Sequence, residues 1–256
     1  MELTFNLTLN YHVFQEKTLL KLFSKEYNTI VLEKFGYSES KMTKVDSSYK
    51  ANVKAHWKQY MSILIKGKNR LHISLSTDQS GQIHGGGGIT VSIKNLNSAL
   101  EDLMQIFNIL NDSGALIFAS LDSREIYDQR HKVVTRFESG GSSYGWEGSS
   151  MWAFQDYLPG ISWFNFFGED YVNAIGKSNL SDLEGIVYGK SKNEAIAFYS
   201  NKNMVDTSLM DLEAIESQIG ENYFFSKERV IENLHHPIQF SQFLKSLEEK
   251  FIEKYP

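Results

Sequence analysis

The 256-residue sequence contains no cysteine. That excludes disulfides, thiolate metal sites and a cysteine nucleophile, and it fits a reducing cytosol. No stretch approaches the roughly 18 consecutive apolar residues that a membrane span requires. The opening segment, Met1-Glu-Leu-Thr-Phe-Asn-Leu-Thr-Leu-Asn10 onward, has neither a basic n-region nor a continuous apolar h-region, so it does not read as a signal peptide. The expectation is a cytoplasmic chain with no membrane partner. Proline is scarce, at three residues, and there is no Pro-rich linker and no convincing internal repeat. This favours a single domain over 1–256, with candidate halves 1–137 and 153–256 joined by the stretch 138–152.

Basic residues are also in deficit: 26 Lys and Arg against 31 Asp and Glu give a net charge of -5. A phosphate-tracking surface needs clustered Lys and Arg, so the balance argues against a nucleic-acid partner, and an acidic surface would suit a basic protein. Catalytic signatures are missing too. No Gly-x-Ser-x-Gly elbow occurs. The seven histidines include no His-x-x-x-His or His-Glu-x-x-His spacing, and the one cluster, His235-His236-Pro237, points adjacent side chains apart. The pairs Glu101-Asp102, Glu169-Asp170 and Glu248-Glu249 read as helix caps or solvated faces. We therefore expect no catalytic residue, no metal site and no cofactor. The alternative is a small cytoplasmic enzyme, hydrolase-like, whose site no motif reveals.

Against these absences, 41% hydrophobic and 13% aromatic residues are enough to build a real core. Leu3, Phe5, Leu7 and Leu9 alternate with polar residues and predict a half-buried strand. Leu19 to Val31 recur at helical spacing, with a stop at Gly36, and 37–58 reads as loop with at most a helical turn before Trp57. Tyr60–Lys66 and Leu71–Ser76 form a hairpin, followed by a strand through Ile89, Val91 and Ile93. The intervening Gly85–Gly88 lacks the Lys and Ser or Thr of a phosphate cradle and reads as a connection or bulge. Ser98-Ala-Leu-Glu101 is a capping box opening a helix over 97–111, and Ala115–Leu121 is a buried strand. Later come a second hairpin (185–188 and 194–199), a helix capped by Ser208 and Asp211 that ends at Gly220, and a last helix near 241–254. The class is α+β: an open, mostly antiparallel or mixed sheet with helices mainly on one face.

Tyr157-Leu-Pro-Gly-Ile-Ser-Trp-Phe-Asn-Phe-Phe-Gly168 concentrates the aromatic residues between two turn signals, and Glu169-Asp170 then open a short helix that ends at Gly176. This predicts a buried strand over 161–167 with Trp163 in the core. The pattern Leu158-Pro-Gly, Trp163, Asn165-Phe-Phe-Gly168, an acidic residue, Tyr171-Val172 and Ile175-Gly176 resembles the central block of immunity proteins from bacterial polymorphic toxin systems. It covers about twenty residues. The resemblance implies an intracellular α+β protein that binds and neutralises a cognate toxin, and it carries no catalytic residue with it.

The stretch 138–152 holds five serines, four glycines and three large aromatics without periodicity and reads as a loop. Its Tyr, Trp, Ser and Gly are the residues that binding loops use, while its length equally suits a mobile linker. On the first reading, Tyr144, Trp146, Glu147 and Trp152 contact the partner.

Overall fold

The computed structural model describes residues 1–10, 14–76, 84–136, 140–146, 148, 158–183, 186–188 and 195–225. They fall into two compact units, Met1–Ala119 and Ser120–Pro256. The division lies inside a strand.

In the first unit, β1 (Glu2–Asn10) pairs along its whole length with β6 (His84–Ser92). From there the order runs through β5 (His72–Ser76), β4 (Ser62–Gly67) and β2 (Leu32–Ser38) to the edge strand β3 (Lys41–Lys44). Every one of these pairings is antiparallel, and the sheet is open. Because side chains alternate across a strand, register assigns each face. Phe5, Ile89, Ile73, Ile65 and Phe35 form one cross-strand row, and all are buried.

Three helices, α1 (Glu16–Ser24), α2 (Tyr49–Tyr60) and α3 (Leu96–Asp112), cover that apolar face. Leu22 of α1 and Ile106 and Leu110 of α3 surround a small apolar void with Leu7, Ile65, Ile73 and Ile89. Trp57 of α2 meets Phe14 edge-on at 5.2 Å. Asp102, read from sequence as part of a cap or solvated face, is fully buried on α3. Its carboxylate accepts from the backbone N–H of Asn28, Thr29 and Ile30 at 2.6–3.0 Å and so ties down the turn before β2.

Several local expectations give way here. The helix ends at Ser24 and the chain re-enters the sheet at Leu32, so Ile30 and Val31 belong to a strand approach. Residues 49–60 form a full helix rather than one turn. The glycines at 86–88 are strand, pairing with β1 on one side and β5 on the other. A Cβ on Gly87 would overlap the Ser74 carbonyl, so this strand approaches its neighbour too closely for a side chain. The α3 cap is Asn95, whose side chain accepts from Ser98 N–H; Ser98 itself lies within the helix.

β7 (Leu116–Ser123), buried along nearly its whole length, carries the chain into the second unit. The second unit continues with α4 (Arg124–His131), β8 (Lys132–Arg136), β9 (Ser142–Trp146) and β10 (Phe164–Phe167). α5 (Glu169–Ile175), α6 (Lys177–Ser181), β11 (Val187–Tyr188), β12 (Ile196–Tyr199) and α7 (Leu209–Ile219) follow. β10 and β11 flank β12, both antiparallel. The Ser208/Asp211 capping box forms as read, with both reciprocal bonds present. The last expected helix, near 241–254, lies outside the described residues.

Candidate partner-binding hairpin

The aromatic block is locked into the second unit by polar groups within it and by others from β7, α7 and the Asn201 carbonyl. Every residue of β10 is buried, so the strand is apolar on both faces. Asn165 fits there because its side chain closes on Ser162, accepting from the backbone N–H at 2.9 Å and donating to the carbonyl at 2.7 Å. Trp163 is buried; its indole donates to the Asn201 carbonyl at 3.0 Å, and its backbone N–H donates to Asp122 at the end of β7 at 2.8 Å. The strand proper starts at Phe164 rather than Ile161, because these bonds hold 161–163 in an irregular approach.

Two buried carboxylates govern that approach. Burial pushes Asp122 up to about 6, against the lowering pull of the Trp163 N–H, the Ser162 side chain and the Arg130 charge. Glu216 on α7 accepts from Ile161 N–H at 2.7 Å and from Arg130 Nη1 on α4, and burial raises its pKa against the attraction of that guanidinium. Gly160, at φ +121°, is required on two counts: the backbone conformation disfavours a side chain, and a Cβ would overlap the Arg130 guanidinium. Arg130 Nη2 is buried with no hydrogen-bond partner among the described residues. The first residue of the block, Leu158, exchanges backbone bonds with Tyr223 and Phe225 at 2.7 and 2.8 Å.

The stretch that reads as a loop in sequence is in part a strand. β9 pairs with β8 in an antiparallel two-stranded sheet, setting Tyr144 opposite Val134 and Trp146 opposite Lys132. The hairpin is largely solvent-facing, with Tyr144 65% and Val134 56% exposed. It is nevertheless held firmly to α4. Trp146 Nε1 donates to Asp128 at 2.8 Å, Arg124 lies 4.5 Å from the indole centroid, and Lys132 lies 5.1 Å from the Tyr144 ring. Tyr144 meets Trp146 edge-on at 5.5 Å. The result is a braced aromatic ridge among cations that leaves the Tyr144 ring accessible. Of the four candidate contact residues, the structure brings Tyr144 and Trp146 together; Glu147 and Trp152 lie outside the described residues. Arg124 and Asp128, which position the ridge, were not singled out in the sequence. An Arg and an Asp four apart are a common surface pair on helices, so their spacing carries no signal of the ridge.

No group of three His, Asp or Glu side chains among the described residues is arranged to hold a metal ion. Among them, too, no helix is long and apolar enough to cross a membrane.

No protein-family model matches the chain, and no curated protein does. Among solved structures, one described as a Pseudomonas aeruginosa T6SS protein is similar in fold, with a TM-score of 0.53 and 10% identity over 95% of this chain and 80% of that one. A likeness at that identity concerns the fold alone.

Proposed function

We propose that the protein is an immunity protein, binding and neutralising a cognate bacterial toxin through the β8–β9 hairpin. The observation that carries this reading is the braced ridge: a large aromatic, Tyr144, is held exposed on a rigid support by Trp146, Lys132 and α4. Preorganised aromatics of this kind lose little entropy on contact and act as anchors. The resemblance of the Leu158–Gly176 block to immunity proteins supports the same reading. The fold shared with a protein described as a Pseudomonas aeruginosa T6SS protein is compatible with that reading. Asp122 is the group an enzymatic reading would invoke, since its pKa is strongly perturbed; its bond to Trp163 N–H supports a holding role instead.

The test is coexpression with the toxin encoded beside the gene, scored by survival and by calorimetry. Wild type should protect and bind, and the Tyr144/Trp146/Glu147 triple alanine variant should remain folded and lose both. Equal protection by the folded triple variant would remove the hairpin from the interface. Failure of the wild type would remove the immunity reading for that toxin.

A further inference from the structure

Residues 14–76 carry twelve Lys or Arg against five Asp or Glu, a net +7 within a chain of net -5. Part of this charge is ordered into a row. Lys44 on β3 lies directly opposite Lys34 on β2, Lys34 opposite Lys66 on β4, and Lys66 opposite His72 on β5. Directly paired residues share a face, and this row alternates with the buried Phe35, Ile65 and Ile73, so it lies on the side of the sheet that α1, α2 and α3 do not cover. With strands about 4.8 Å apart, the row spans roughly 14 Å.

Like charges placed directly opposite one another destabilise a sheet. Among the described residues, neither Lys34 nor Lys44 has an ion-pair partner, and both side chains are exposed. The counter-charge on this row among the described residues is Glu39, from the turn between β2 and β3, whose carboxylate sits 2.9 Å from Lys66 Nζ. Lys66 holds that carboxyl below its usual range. In the next row along the same face β5 and β6 contribute the small residues Ser74 and Gly88, beside Leu64 of β4.

The geometry points to this lysine row as a docking surface for an acidic polypeptide segment, whose carboxylates take up Lys34 and Lys44 as Glu39 takes up Lys66. A polypeptide fits better than a nucleic acid because the anion already seated on the row is a carboxylate. The inference does not rest on the toxin reading, and it concerns different residues.

The experiment uses the full chain and a fluorescein-labelled peptide of alternating Glu and Ser, read by anisotropy at low salt, with a labelled oligothymidine of similar length as comparison. The peptide should bind and the oligothymidine should bind more weakly. Lys34→Glu/Lys44→Glu should weaken peptide binding about tenfold or more, since each exposed ion pair contributes modestly and two are reversed. Lys50→Glu/Lys58→Glu, an equal change of charge on exposed α2 positions of the other face, should leave it within about twofold. The milder Lys34→Gln/Lys44→Gln keeps the test open if charge reversal disturbs folding, and it should also weaken binding while its thermal midpoint does not fall. Absence of peptide binding, equal losses in the β-strand and α2 variants, or tighter binding of the oligothymidine would each overturn the proposal.

Discussion

Arg124 and Trp146 are joined twice. The guanidinium lies 4.5 Å from the indole centroid, and its Nε donates at 2.7 Å to the same Asp128 oxygen that accepts from the indole Nε1 at 2.8 Å. The Trp146 ring is therefore fixed in orientation and held half-buried, while Tyr144 beside it faces solvent. The two aromatics should separate in mutagenesis.

Tyr144→Ala should cost about 2 kcal/mol of binding to the cognate toxin, a typical anchor value, with an unchanged unfolding midpoint. Asp128→Ala should weaken binding without touching the contact residues, because it releases Trp146. Calorimetry against thermal unfolding distinguishes the two. A Tyr144→Ala variant that loses stability rather than affinity would contradict an anchor role.

Trp163→Ala should destabilise the protein by about 3–5 kcal/mol, the usual cost of truncating a buried aromatic. Its indole bond to Asn201 is lost along with its packing against Tyr199, whose ring lies 4.9 Å away. Denaturant unfolding measures this directly, and an unmoved midpoint would refute it.

Gly160→Ala should be as damaging as a core truncation, about 3 kcal/mol or more, although it adds a single methyl group. The methyl displaces Arg130 from Glu216 and leaves a buried carboxylate without its cation. Pro159→Ala, one residue earlier, places no new atoms at that position and should be much milder. Comparable midpoints for the two variants would remove the steric argument.

Asp122 sets a pH dependence whose sign is fixed by its burial. Its folded pKa of about 6 lies above the ordinary 3.8, so the folded state holds this proton more tightly than the unfolded chain. Its contribution to stability is present in full below about pH 4, falls as pH rises to about 6, and is flat beyond. Glu216 is displaced in the same direction and adds to the trend. Asp122→Asn should therefore flatten the stability profile between about pH 4 and 6 relative to wild type, as measured by urea midpoints across that range. Parallel profiles for the two proteins would exclude the assignment.

What the sequence discloses about this fold follows from how strongly each element is patterned. β1, α3 and α7 bury regular stripes, Leu3-Phe5-Leu7-Leu9, Leu103-Ile106-Leu110 and Leu212-Ile215-Ile219, and each is legible as strand or helix. α2 buries only Val53 and Trp57 over its three turns, too little for periodicity to show. β2 escapes for a related reason, since its buried residues Phe35 and Gly36 are adjacent rather than alternating. Ile89 and Val91 mark the second half of β6, but its glycine-rich first half and the serine- and glycine-rich β9 are strands because a neighbour pairs with them; no local propensity says so. The same limit applies to the site. Tyr144 and Trp146 stand out by composition, whereas the Arg130–Glu216 bond joins residues 86 positions apart and only the fold brings them together.

The position of α4 has a further consequence. This eight-residue helix presents Arg124 and Asp128 to the hairpin and Arg130 to Glu216, while the ring of its last residue, His131, stacks at 5.7 Å on Phe225. One short lever thus bears on the outer ridge at one end and on the buried tether of Ile161 at the other. A partner that immobilises the ridge should slow amide hydrogen exchange at Ile161 and Trp163, residues it never touches, and Arg130→Lys should uncouple the two ends while leaving the ridge intact.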